Sequence, residues 1–121
     1  MIPINLKAKF ETFNSQWHPH QITEIEDMQV LLAKVEGEFV WHKHEEEDEL
    51  FLVVKGTLQM QFRDRTEVVK AGELILVPKG VEHCPSTAAG EEVQLLLFEK
   101  KSTKHTGTVI DEKTKTHYPK I

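Results

Sequence analysis

The sequence predicts an all-β chain closed into a sandwich or small barrel, and three observations carry that prediction. From about Gln29 onward the chain reads as short apolar runs with no sustained helical period. Turn residues punctuate those runs, at Gly37, Gly56, Gly72, Gly80 and Gly90, with Pro78-Lys79-Gly80 as a compact turn signal. Many short, closely spaced strands in a chain of 121 residues favour two packed sheets or a barrel around one core.

The expected strands are Gln29 to Val35, Phe39 to His44, Glu49 to Val54, Thr57 to Arg63, Thr66 to Val69, Leu74 to Val77, His83 to Ser86 and Val93 to Lys100. Residues 29–100 therefore form the barrel. Residues 1–28, which include Trp17-His18-Pro19-His20, form an N-terminal segment that adds a strand or one helical turn and packs on the barrel or on a partner subunit. Residues 101–121 form a basic arm: from Lys100 on there are six lysines against Asp111 and Glu112, a pattern that ordinarily marks a solvated segment.

Alternation along the strands sets the packing. Leu58, Met60 and Phe62 share one face and Gln59, Gln61 and Arg63 the other, so this strand has a wet side. By contrast, Leu50 to Val54 and Leu95 to Phe98 are apolar on both faces, and an outer wall of that kind must be covered. The cover is either the N-terminal segment folded back or a second copy about a two-fold axis, and a homodimer is expected. Val40, Phe51, Leu58, Met60 and Phe62 are the candidates for the inner lining.

Charge and cysteine content narrow the partners. A net charge of -5 and a pI near 5.8 argue against nucleic acid or an anionic membrane surface. No apolar run approaches the ~18 residues that span a bilayer. One cysteine, Cys84, cannot form an intramolecular disulfide, and the start of the chain lacks the pattern of a secretory leader; both point to the cytoplasm. A small-molecule ligand or substrate is the expected partner.

The chemistry lies in His42, His44, Glu49 and His83. His42 and His44 are two residues apart and project from one face of an extended strand. Glu49 opens the apolar run that ends at Lys55-Gly56, on the same face as Phe51 and Val53. An unpaired carboxylate facing a core costs several kcal/mol, and a cation held by neighbouring imidazoles removes the cost. Three imidazoles and one carboxylate suit a first-row divalent ion, Fe, Mn, Ni, Co or Zn, one per chain. His18, His20, His105 and His117 lack such company and read as surface residues. Cys84, next to His83, reads as a buried thiol. Trp41 reads as outer-wall packing, and Glu45-Glu46-Glu47-Asp48 as a solvated loop.

These residues carry a resemblance. Gly37, four residues, His42-Lys43-His44, four residues, Glu49, six residues and Gly56 resemble the first motif of the cupin superfamily. Gly72, five residues, Pro78-Lys79-Gly80, two residues and His83 resemble the second. The resemblance implies a small antiparallel β-barrel of jelly-roll type, often dimeric, with His42, His44, Glu49 and His83 at the positions of the family's four metal ligands. Asp48 is the rival to Glu49. Two departures stand out: four residues rather than the usual five precede His42, and Thr87 stands where the motif normally ends in asparagine.

Small stand-alone cupins of this kind resemble the mannose-6-phosphate-isomerase-like group. A phosphosugar would need cations in the cavity, for which Arg63, Arg65 and Lys79 are the candidates. The functional expectation is a metal-dependent enzyme of dioxygenase or isomerase type acting on a small polar molecule. The alternative is a non-catalytic, metal-dependent sugar- or small-ligand-binding protein.

Overall fold

The computed structural model describes residues 1–107, 109–115 and 117–121. Its elements are a short helix α1 (Leu6–Phe10) and strands β1 (His20–Ile25), β2 (Met28–Val35), β3 (Glu49–Lys55), β4 (Thr57–Phe62), β5 (Thr66–Lys70), β6 (Leu74–Val77), β7 (His83–Ser86) and β8 (Val93–Lys100). All strand pairs are antiparallel, in a five-stranded sheet ordered β1-β2-β8-β3-β6 and a three-stranded sheet ordered β5-β4-β7. The two sheets close over one core as the small antiparallel barrel of jelly-roll type that the sequence predicts.

The alternation rule places the core. On β3, Glu49, Phe51 and Val53 point inward, and on β8 so do Val93, Leu95, Leu97 and Glu99. From the smaller sheet, Leu58 and Met60 of β4 meet them, each 0% exposed, while Gln59 faces solvent. Val40 and Phe62 are half-buried against the same core. The inward faces are apolar except at one end of the barrel, where Glu49 and Glu99 lie.

The N-terminal segment contains both elements that the sequence left open. Asn5 caps α1, its Oδ1 accepting from Ala8 N at 2.9 Å. The turn is held less by its own length than by Phe10, which with Phe13 and Leu32 forms a second apolar cluster against Leu6, Ile22, Val54, Leu96 and Ile121. That cluster covers part of the outer wall whose apolar face demanded a cover. The C-terminal arm also departs from a solvated one. Thr103, His105 and Thr106 are buried, and the last residues run beside β1, with Gln21 N donating to Pro119 O at 2.7 Å and Ile121 N to Gln21 O at 3.0 Å. The edge of the larger sheet at β1 is thereby paired rather than left open.

Two expectations need correction. Phe39 to His44 is not a regular strand. It pairs with β7 through the bridges Glu38 with Ser86 and His42 with His83, so the five residues 38–42 lie opposite the four residues 83–86. Pro85, with no N–H to donate, sits inside that stretch and accepts from Phe39 N at 3.0 Å, which gives the pairing the form of a bulge. His20 is not a surface residue: it is 6% exposed and stacks on Phe13 with ring centroids 4.0 Å apart. An aromatic partner from the folded-back segment covers it.

Phe10→Ala removes one of the two phenyl rings of the outer cluster, the more deeply buried of the pair. It should cost roughly 3 kcal/mol, read as a lower urea midpoint with an unchanged slope.

Candidate metal centre

Each residue of the cluster is delivered by a different local device. Glu49 is the first residue of β3, and His83 is the first of β7. His42 and His44 lie on the irregular stretch before β3. There the mutual backbone bonds His42 N to His83 O (3.0 Å) and His83 N to His42 O (2.9 Å) lock the two loops together. Gly80 N donates to His44 O at 2.7 Å, so the Pro78-Lys79-Gly80 turn supports the third imidazole. At the start of the stretch, Gly37 (φ +81) makes the turn, and Thr87 accepts from Gly37 N through Oγ1 at 2.8 Å. The threonine that departs from the motif therefore still fixes the beginning of the loop.

The result is compact. One ligand atom from each of His42, His44, Glu49 and His83 lies within 4.8 Å of all the others, and the four residues are 3%, 3%, 2% and 0% exposed. Glu49 Oε1 stands 3.2 Å from His44 Nε2 and 3.8 Å from His83 Nε2. Asp48, the rival carboxylate, is exposed and its Oδ1 accepts from Lys79 N. The geometry thus brings Glu49, and not Asp48, to the imidazoles.

Proton positions follow from the hydrogen bonds. His42 Nδ1 lies 2.9 Å from Val40 O, and His83 Nδ1 lies 2.9 Å from Val81 O. A carbonyl has no proton to give, so Nδ1 carries the hydrogen in both rings, and in the neutral imidazole Nε2 then presents a lone pair to the cluster. His42 Nε2, His44 Nε2, His83 Nε2 and Glu49 Oε1 are all buried without a hydrogen-bond partner. Orphaned buried polar atoms of this kind cost about 1–3 kcal/mol each. A divalent cation satisfies all four at once, and the donor set of three imidazoles and one carboxylate suits it.

Burial first, and then the closeness of the His83 imidazole, which disfavours a second positive charge beside it, pull the His42 pKa down to about 4. For Glu49, burial acts upward, but the nearness of His44 and His83 outweighs it and keeps the carboxyl ionised below the usual range. Glu99 goes the other way: burial first, and then the charge of Glu49, raise it well above an ordinary carboxyl.

Two cavities adjoin the cluster. A chamber of about 30 Å3 inside the barrel touches His42 and Glu49 and is walled by Phe39, Phe51, Leu95 and Leu97. An open groove of about 850 Å3 touches His44, with Glu45, Glu46 and Glu47 along one side and Lys101, Lys104 and Lys115 from the C-terminal arm along another. The chamber wall includes residues that sequence reasoning missed. Trp17, held at φ 57 and stacked on Phe39 at 4.5 Å, closes one side, and its Nε1 donates to Glu36 O.

His105 closes another side of the chamber, which corrects its reading as a surface residue. Its Nε2–H donates to Lys113 O at 2.6 Å and its Nδ1 accepts from Tyr118 Oη at 3.2 Å, so the arm's own hydrogen bonds carry it inward. Gly107 (φ +61) lies so close to the carbonyl of Lys43 that any Cβ would collide with it. His18 is half-buried and His117 exposed, and neither joins the cluster. Cys84 is buried, its thiol pushed up to about 11 by burial and by Glu38. Trp41 is half-buried beneath the Arg63 guanidinium at 3.8 Å, as an outer-wall residue.

The sign of the His42 shift fixes a pH dependence. Because the folded pKa lies below the ordinary histidine value of 6.5, the unfolded chain takes up a proton between about pH 6.5 and 4 that the folded chain does not. On account of His42, metal-free protein should therefore lose stability as pH falls through that window, by roughly 3 kcal/mol at its acid end. Burial lowers His20 and His105 as well, in the same sense. Glu99, whose raised carboxyl binds its proton first in the folded chain, acts in the opposite sense over this window, so the test uses chelator-treated Glu99→Gln protein: its melting temperature should fall steadily across the window, and a flat profile there would contradict the assignment of a neutral, buried His42.

Comparison with known proteins agrees with this construction. Residues 28–99 match the family model described as Cupin domain. The crystal structure of a cupin-2 domain containing protein from Shewanella frigidimarina is 49% identical, with a TM-score of 0.78 over 81% of this chain and 94% of that one. Protein NMB1881 from Neisseria meningitidis is 30% identical, with a TM-score of 0.74 over 83% of this chain and all of that one. The uncharacterized protein YdbB of Bacillus subtilis is 46% identical over 63 residues, and the match spans 51% of this chain and just over half, 56%, of that relative. With a barrel, a four-residue His/Glu cluster and a family match that all fall on the same stretch, this chain belongs to the cupin domain family.

Proposed function

We propose that this protein is a metal-dependent enzyme acting on a small polar molecule, with one divalent ion per chain held by His42, His44, Glu49 and His83. The observation that carries the reading is the set of four buried, unpartnered ligand atoms within 4.8 Å of one another. When bound, the ion supplies a Lewis-acid centre with positions to spare for substrate. The Nδ1–H bonds to Val40 O and Val81 O aim two imidazoles, and Glu49 contributes the anionic ligand. Phe39, Phe51, Leu95 and Leu97 keep water out of the inner side, and the groove beside His44 is the open approach.

Between dioxygenase and isomerase, the chamber favours the first. At about 30 Å3 and with mostly apolar walls, it takes a molecule the size of water or dioxygen and not a sugar. The three cations that the sequence offered for a phosphosugar lie elsewhere, and the lysines near the centre, Lys101, Lys104 and Lys115, border the outer groove and not the chamber. Arg63 is exposed on Trp41 and paired with Glu82, Arg65 is paired with Asp64 and Glu67, and Lys79 is exposed. The groove of about 850 Å3 supports a second reading, a non-catalytic metal-dependent sugar- or small-ligand-binding protein.

A homodimer in the cytoplasm completes the proposal. Leu74, Leu76 and Val68 on strands β6 and β5 remain 60%, 52% and 54% exposed, an apolar face that a second copy would cover. The single buried thiol suits a reducing compartment.

Elemental analysis of anaerobically purified protein should find about one divalent ion per chain, lost in a His42→Ala, His83→Ala double variant. Trace metal in both would end the metal reading. Oxygen uptake over a panel of small polar compounds, abolished by Glu49→Ala, would support the dioxygenase. Stoichiometric metal and saturable ligand binding without turnover would support the binding protein.

A further inference from the structure

We propose that Glu99 belongs to the metal centre as a positioning residue: an outer carboxylate that compensates the cation's charge from the neighbouring strand without being one of the four cluster residues. The inference rests on the metal reading of the Glu49 cluster. Glu99 on β8 is the direct cross-strand partner of Glu49 on β3, and both point into the barrel, 0% and 2% exposed. Side chains so paired have Cβ atoms about 4.5–5.5 Å apart, and like charges at such a pair oppose each other.

Among the described residues no cationic side chain balances that arrangement. Neither oxygen of Glu99 has a hydrogen-bond partner, and among the described residues no lysine, arginine or histidine forms an ion pair with it. The nearby polar groups are incompletely partnered as well, although Gln29 Oε1 accepts from Gln21 Nε2 at 3.1 Å. Gln29, which pairs with Glu99 from β2, leaves Nε2 unbonded, and so does Thr103 its Oγ1. A polar row, Gln29, Glu99, Glu49, thus crosses the inner face of the larger sheet in an otherwise apolar barrel.

Hydrophobic side chains at Glu99 and Gln29 would pack such a core more cheaply. The arrangement makes physical sense with a divalent ion beside Glu49. Three neutral imidazoles leave two positive charges to be met, and Glu49 meets one of them. Glu99, one strand away in register, meets the other. A cation in a low-dielectric barrel is held more tightly when its net charge is cancelled nearby.

The test is Zn(II) binding, measured by titration calorimetry on chelator-treated protein, together with melting temperatures without metal. The comparison covers wild type, Glu99→Gln, Glu99→Asp and His83→Ala. Glu99→Gln keeps the shape and removes the charge. It should weaken Zn(II) about 10-fold or more while leaving the metal-free melting temperature unchanged or higher, and Glu99→Asp should recover part of the affinity. Wild-type affinity in Glu99→Gln, with His83→Ala impaired, would overturn the role of Glu99 and leave the metal centre standing. A lowered metal-free melting temperature with unchanged affinity would make Glu99 a purely structural residue. Failure of wild type and His83→Ala alike to bind would remove both readings.

Discussion

The structure depends on one constraint: Glu49 is a fully buried carboxylate whose surroundings must compensate it. Burying a charge without a partner is among the costliest things a fold can do, and the chain spends three histidines and two turns on this position. The mutual backbone bonds between His42 and His83 tie together the two loops that supply imidazoles. The hydrogen bonds at Nδ1 then fix which ring nitrogen faces inward. Compensation within the protein is incomplete, since four polar atoms converge with no donor among them to complete the set. That incompleteness is the physical reason for reading the cluster as a cation site.

The rest of the barrel isolates that end from water. The chain termini, which might have been loose, do much of the covering. Phe10 and Phe13 lie over the outer face of β2 and β8, while Lys120 bridges to Gln21 at the edge of β1. Trp17 and His105 come from opposite ends of the sequence and wall the same small chamber. The positive φ of Trp17 is uncommon for a bulky residue, and it is held by a backbone bond to Lys34 O and a side-chain bond to Glu36 O. Backbone strain of this kind persists where neighbouring contacts over-determine it, and here it sits on the wall of the candidate site.

What was legible in the sequence was legible for local reasons. Strands β2 to β8 announced themselves as short runs bounded by turn residues, with clean alternation only on β4, and those signals depend only on neighbours in sequence. The grouping of His42, His44, Glu49 and His83 was legible because the spacings from Gly37 to Gly56 and from Gly72 to His83 resemble the two cupin motifs, whereas the His42 and His44 pair alone carries little signal. Phe39 to His44 misled because its composition suits a strand, while Pro85 on the segment opposite forbids a regular ladder. His20 and His105 misled because their burial comes from partners far along the chain: Phe13 stacks on the first, and Tyr118 and Lys113 hold the second. Glu99 gave no signal at all. Its significance lies in a cross-strand register that no sequence spacing encodes.

The most direct measurement is anomalous diffraction from a crystal of the protein grown with Zn(II) or Mn(II). One strong peak per chain, about 2.0–2.2 Å from the three histidine Nε2 atoms and a Glu49 oxygen, is the expected result. An ordered cluster with the same four side chains in place and no peak among them, at saturating metal, would contradict the central claim that their buried, unpartnered atoms exist to hold an ion.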